Sequence, residues 1–208
     1  RNILISRGSY KSGVFYVEPD WSAASYWYEA VALTPGSEII LNDLSGDSVQ
    51  GDAVLINIFN ALGVKTRQTD NGIVIQSINR PVQNFEFNFS DYPDLALAVA
   101  VTCTALNINA RLNGLKNLKI KESNRFEALH KELSLLNPGI DIINNDCLFI
   151  PKQKTPVKTK KLHFRTYDDH RMAMAFAPLA LVIGEISIED PNVVSKSYPD
   201  FWKEFQRS

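Results

Sequence analysis

Apolar positions along the chain follow two rhythms. Over Trp21–Leu33 they recur three and four apart, which predicts a helix capped by Asp20 or Ser22 and stopped at Pro35-Gly36. A strand follows over residues 38–41. A second helix over 52–62 places Leu55, Phe59 and Leu62 on one face and stops at Gly63. Two short strands, residues 64–67 and 73–75, flank Asp70-Asn71-Gly72, and Asn-Gly between short apolar runs signals a hairpin.

The same order returns further on. A strand near 115–120 leads into a helix over 123–136 that stops at Asn137-Pro138-Gly139. Two strands then flank Asn144-Asn145-Asp146, at 140–143 and 147–150. Residues 49–75 and 120–150 therefore read as copies of one unit: strand, polar entry, helix, strand, tight turn, strand. A long unit repeated a few times predicts a pseudo-symmetric globular domain. Two further segments, 95–106 and 172–182, are apolar on every side, so each is expected as a core helix rather than an amphipathic one. A last helix is expected over 198–206. The fold class is α/β of the α+β kind, with buried helices under mixed sheets.

Composition narrows the function classes. Hydrophobic residues make up 45% and charged residues 22% of the 208, the balance of a globular protein. A net charge of −1 gives no global basic field for nucleic acid, so any anion site must be built locally from a few converging cations. Cys103 and Cys147 sit among apolar neighbours and read as buried free thiols, with no zinc-ligand spacing. No apolar run reaches the roughly 18 residues of a membrane helix, and no signal peptide opens the chain, so a reducing, cytoplasmic setting is expected. The lysine-rich stretch 151–161 reads as a solvated loop. The chain opens on Arg1 and a strand-like Asn2-Ile3-Leu4-Ile5, as a piece of something longer would.

Four polar clusters share one position, just before or within the first turn of an expected helix. They are Ser90-Asp91-Tyr92-Pro93-Asp94, Lys121-Glu122-Ser123-Asn124-Arg125, Tyr167-Asp168-Asp169-His170-Arg171 and Ser195-Lys196-Ser197-Tyr198-Pro199-Asp200. Carboxylates there are commonly plain caps, a reading that covers Asp91, Asp169 and Asp200. Cations are disfavoured there by the helix dipole. Arg125, Arg171 and Lys196 at equivalent positions therefore point to a bound anion, such as a phosphate plus a carboxylate. Asp94, Glu122 and His170 are the candidate proton carriers among them, although a lone histidine at a helix start is commonly a cap or a packed residue.

These residues carry a resemblance. Lys121-Glu122-Ser123-Asn124-Arg125 and Thr166-Tyr167-Asp168-Asp169-His170-Arg171-Met172-Ala173-Met174 are similar to two signatures of the EPSP synthases. Pro93-Asp94, Asn117, Lys196-Ser197-Tyr198-Pro199-Asp200-Phe201 and Glu18-Pro19-Asp20-Trp21-Ser22-Ala23-Ala24-Ser25-Tyr26 resemble further family segments in the same order. Asn124, Pro19, Ala23 and Asn137-Pro138-Gly139 depart from the pattern; Asn124 replaces an Asp.

The resemblance implies the C-terminal domain of a two-domain enolpyruvyl transferase. Residues 1–18 would be a connecting strand, and the N-terminal domain lies outside this chain. Each such domain has three strand-helix-strand-helix-strand-strand units around buried parallel helices. The reaction implied moves the enolpyruvyl group of phosphoenolpyruvate to the 5-hydroxyl of shikimate 3-phosphate, without metal or organic cofactor. By resemblance, Asp94 orients or takes the hydroxyl proton. Glu122 exchanges the proton at C3, aided by Lys121 and His170. Asn117, Lys121 and Asp94 contact shikimate 3-phosphate, and Arg125, Arg171 and Lys196 hold phosphoenolpyruvate. The parent would be a monomer and the isolated domain inactive. Two other readings are a UDP-N-acetylglucosamine enolpyruvyl transferase and a non-catalytic interaction domain of the same fold; scattered charged residues would favour the second.

Overall fold

The computed structural model describes residues 2–154 and 161–207. Helix α1 spans Trp21–Leu33 as expected, with the Asp20 carboxylate accepting the N–H groups of Ser22 and Ala23. Strand β1 (Glu38–Asn42) follows. A 3₁₀ turn at Gly51–Val54 leads into α2 (Leu55–Ala61), and β2 (Val64–Thr69) and β3 (Gly72–Ser77) close an antiparallel sheet of order β1-β3-β2. The next unit runs β4 (Asn84–Asn88), α3 (Ala96–Ala105), β5 (Asn109–Asn113), α4 (Arg125–Ser134), β6 (Asp141–Ile143) and β7 (Cys147–Ile150). Its sheet order is β4-β5-β7-β6; β4 and β5 are parallel across the α3 crossover and the rest antiparallel. A third, shorter unit pairs β8 (Leu162–Phe164) in parallel with β9 (Ile186–Ile188) around α5 (His170–Phe176) and α6 (Ala180–Ile183), and α7 (Phe201–Phe205) ends it. The second unit is one complete strand-helix-strand-helix-strand-strand copy.

The core lies where α1 packs on α3 and α3 on α5. Every residue of α3 from Ala96 to Cys103 is buried. Its alanines allow close helix approach, and its larger side chains each contribute roughly 1.5–3 kcal/mol on burial. The Thr102 and Thr104 hydroxyls donate back to Ala98 and Ala100 carbonyls at 2.7 and 2.8 Å, which lets them sit in an apolar helix. Helix α7 is too short to stand alone; Phe201 and Phe205 hold it by packing on Trp27 of α1.

Several expectations are corrected. Residues 116–120 form a 3₁₀ helix, not a strand. Leu115 and Leu118 are both fully buried, and their three-residue spacing fits three residues per turn. Gly114 supplies the entry with φ +74°; a Cβ there would lie 2.2 Å from Asn88 Oδ1. Residues 2–17 carry no strand and expose Ile3, Leu4 and Ile5: the run pairs with no other strand among the described residues, and a strand needs such pairing for its backbone groups. The 172–182 segment is not one buried helix. It breaks into a 3₁₀ turn at Ala177–Leu179 containing Pro178, and Leu181 and Val182 beyond it are 49% and 44% exposed. The last helix starts at Phe201, three residues later than expected. Cys103 and Cys147 are buried free thiols. Residues 155–160 of the lysine-rich stretch lie outside the described residues.

Candidate functional site

Arg125 opens α4 and is 1% exposed, an unusual place for a guanidinium unless it is paired. Its Nε donates to Asp169 Oδ2 at 2.7 Å and its Nη2 to Asp169 Oδ1 at 3.1 Å. The same Nη2 donates to Glu122 Oε2, and Nη1 donates to Asp94 Oδ1 at 3.0 Å. Of the five N–H groups a guanidinium carries, one on Nη1 is left over.

Asp94 sits in the 3₁₀ turn Pro93–Leu95 that feeds α3. Its carboxylate meets three cations from two other segments: Lys121 at 3.3 Å, Arg125 at 3.0 Å and Arg171 at 3.3 Å. Residues far apart along the chain therefore meet at one knot above the starts of α3, α4 and α5.

Asp169 caps α5 by accepting the Arg171 N–H at 3.0 Å and also accepts the Ser123 hydroxyl at 3.0 Å. Burial acts to raise its carboxyl, but the Arg125 bonds and charge, with these two donors, outweigh it and hold the group below its usual range. Two consecutive left-handed residues, Tyr167 (φ 55°) and Asp168 (φ 56°), aim the cap. Such a conformation is costly for non-glycine residues. It is held on one side by the Tyr167 hydroxyl donating to Glu132 Oε1 at 2.6 Å. On the other, Lys196 binds the Asp168 carbonyl at 2.6 Å and carboxylate at 2.9 Å.

His170 is buried, with Nδ1 3.9 Å from Asp169. Burial lowers its pKa and Arg171 and Arg125 add to that, against the pull of Asp169 and Glu122. The imidazole is therefore neutral near pH 7.

The structure brings together Asp94, Lys121, Glu122, Arg125, His170 and Arg171. Lys196 stands one residue away, on the Asp168 turn. It ends a 3₁₀ helix, Pro191–Lys196, and does not start α7, so the expectation of a cation at a helix N-terminus fails there. Asn117 is exposed on the 116–120 turn, and among the described residues no hydrogen bond or ion pair joins its side chain to the knot. Of the expected caps, Asp169 is one; Asp200 makes no capping bond and pairs with Lys203 at 3.5 Å; Asp91 lies exposed in a turn. Asn124, the departure in the 121–125 signature, caps α4 by accepting the Glu127 N–H at 3.3 Å.

Sequence reasoning missed two contributors. Asp52 read only as a helix start; its half-buried carboxyl accepts the Ser22 hydroxyl, is pushed up by burial, and feels Asp94 and Arg171. Tyr26 of α1 is fully buried near Arg171, and burial pushes its hydroxyl up to about 12 against the pull of that cation. Neither carries a local signal beyond its helix position. A groove of about 670 Å³ lined by Trp27, Ile39, Leu41, Leu44 and Tyr198 shares no residue with the knot.

The family model for EPSP synthase (3-phosphoshikimate 1-carboxyvinyltransferase) matches residues 2–205. A 3-phosphoshikimate 1-carboxyvinyltransferase from Bacteroides fragilis is 41% identical over 208 residues, all of this chain and 50% of that protein. A chloroplastic counterpart from Brassica napus is 30% identical over 93% of this chain and 38% of its own length. In fold, the chain superimposes on an EPSP synthase structure from Acinetobacter baumannii with a TM-score of 0.69 at 20% identity, over 92% of this chain and 46% of that one. The chain spans about half the length of the curated relatives it matches. With both signatures folded into one charged knot and the match running almost end to end, this chain belongs to the EPSP synthase family.

Proposed function

We propose that this chain is the C-terminal domain of a 3-phosphoshikimate 1-carboxyvinyltransferase. The whole protein would transfer the enolpyruvyl group of phosphoenolpyruvate to the 5-hydroxyl of shikimate 3-phosphate, a step of the shikimate pathway to aromatic amino acids. The observation that carries this reading is the knot at Asp94, where one carboxylate meets three cations beside Glu122. That is the mix of proton carriers and anion-binding groups the reaction needs.

Addition of the hydroxyl across the enol double bond forms a C2–O bond and places a proton on C3. Elimination then removes a proton from C3 and expels phosphate from C2. Asp94 orients or accepts the hydroxyl proton. Glu122, 47% exposed on the cluster's outer side, exchanges the C3 proton with help from Lys121. Each acid–base group of this kind contributes about 10²–10⁴-fold. Lys121 and Asn117 contact shikimate 3-phosphate. Arg171, Arg125 and Lys196 take the anionic groups of phosphoenolpyruvate. All three now hold protein carboxylates, so substrate must displace those counterions. His170, neutral and packed behind Asp169, assists Glu122 as a dipole rather than a charge.

The other half of the protein completes the site, in the cytoplasm, and closure of the two halves assembles the machinery. The test is phosphate release by the whole protein from phosphoenolpyruvate, with shikimate 3-phosphate or UDP-N-acetylglucosamine as acceptor. Turnover with shikimate 3-phosphate alone is expected, and negligible turnover by the 208-residue chain. Turnover with the nucleotide sugar instead, or none with either, defeats the reading.

A further inference from the structure

The three carboxylates on Arg125 are not equivalent. Asp169 is fully buried, and all its acceptor capacity is taken: Oδ2 by Arg125 Nε and the Ser123 hydroxyl, Oδ1 by Arg125 Nη2 and the Arg171 N–H. It has no lone pair left for a ligand. Asp94 and Glu122 are 26% and 47% exposed, and each touches Arg125 from the solvent side. The Arg125–Asp169 contact is a two-point fork, which fixes the plane of the guanidinium as a single-point contact cannot.

We infer that Asp169 is the positioning residue of the anion site: it locks Arg125 by its Nε–Nη2 edge, so that ligand exchange is confined to the opposite, Asp94 and Glu122 side. Two consequences follow from the geometry. Asp94 is the resident anion of the cradle formed by Lys121, Arg125 and Arg171, and an incoming anion must take its place. Asp169 also joins the 121–125 segment to the 167–171 segment, so losing its charge frees Arg125 from α5 and lets it follow Asp94 and Glu122. An anion then meets a cradle whose central cation is free to turn away. This deepens the transferase reading above and rests on its anion-binding half only.

The test uses the 208-residue chain, inorganic phosphate as probe, and arginine side-chain ¹H–¹⁵N spectra of wild type, Asp169→Asn, Asp169→Glu and Asp94→Asn. In wild type the Arg125 Nε–H signal should persist and stay in place through the titration, while Arg171 moves. Asp94→Asn, which removes the resident anion, should bind phosphate about tenfold more tightly, the size of one charge-assisted hydrogen bond. Asp169→Asn should lose the protected Arg125 Nε–H signal and bind about tenfold more weakly, with Asp169→Glu recovering part of both. Should Asp169→Asn fail to fold, Ser123→Ala keeps every charge and removes one Asp169 contact; it should speed exchange of the Arg125 Nε–H. Phosphate moving that signal in wild type overturns the inference. So does a folded Asp169→Asn chain that binds as wild type does, unchanged exchange in Ser123→Ala, or an Asp94→Asn chain that binds no better. Failure of the transferase reading would appear separately, in turnover by the whole protein.

Discussion

Glu29 offers a quantitative check on the core. It lies in α1, fully buried, and neither carboxylate oxygen has a hydrogen-bond partner among the described residues. Burial raises its pKa well above the ordinary value, and no charged group contributes. The folded chain therefore holds Glu29 protonated where the unfolded chain has released the proton. The stability it permits is fully present below the unfolded pKa of about 4.3 and is lost as pH rises toward the folded pKa. The slope is about 1.4 kcal/mol per pH unit within that window. Glu29→Gln keeps the shape and cannot ionise, so its stability relative to wild type should climb with pH. Urea denaturation of both chains at pH 5, 6 and 7 measures this, and titrations elsewhere cancel in the difference. The gap should widen by about 1 kcal/mol or more between pH 5 and 6. Glu29→Met, which also removes the unsatisfied oxygens, should gain about 1–3 kcal/mol at pH 5. A gap that stays flat across the three pH values refutes a buried, uncompensated carboxyl.

Two further outcomes test local geometry. Gly114→Ala combines a left-handed backbone with a Cβ 2.2 Å from Asn88 Oδ1, so denaturation should show a loss of about 1–3 kcal/mol from backbone strain alone, and more from the clash. Asn124→Ala removes the α4 cap and should cost about 1 kcal/mol by the same assay, whereas Asn124→Asp, which keeps a capping oxygen, should leave stability within a few tenths.

The sequence was most informative where local chemistry decides structure. Trp21–Leu33 carries its own cap and stop, and its span is as expected. Asn144 and Asn145 both adopt positive φ, as a tight hairpin turn requires, so the β6–β7 turn was readable from residue type. Strands β4 and β5 went unread although Phe85 and Phe87 alternate with polar residues. Each is five residues long, and its parallel partner lies beyond a helix, so nothing local announces the pairing. The 116–120 turn misled because Leu115 and Leu118 suit a buried strand as readily as a 3₁₀ turn.

The site was legible in the same uneven way. Charged residues at helix starts marked Asp94, Lys121, Glu122, Arg125, His170 and Arg171 as candidates, and they converge. Which carboxylate meets which guanidinium was not legible. Arg125 finds Asp94 across 31 positions and Asp169 across 44, a choice made by the packing of α3, α4 and α5. Asp169 accordingly read as a cap, and the burial of Arg125 went unseen.

Whether the Asp94 knot belongs to a transferase site is measured most directly by turnover of the whole protein carrying Asp94→Asn, with phosphoenolpyruvate and shikimate 3-phosphate saturating. This isosteric change leaves all three cations in place and removes the proton acceptor. Turnover should fall about 10²–10⁴-fold while the protein stays folded. A folded variant that turns over within twofold of wild type would contradict the account.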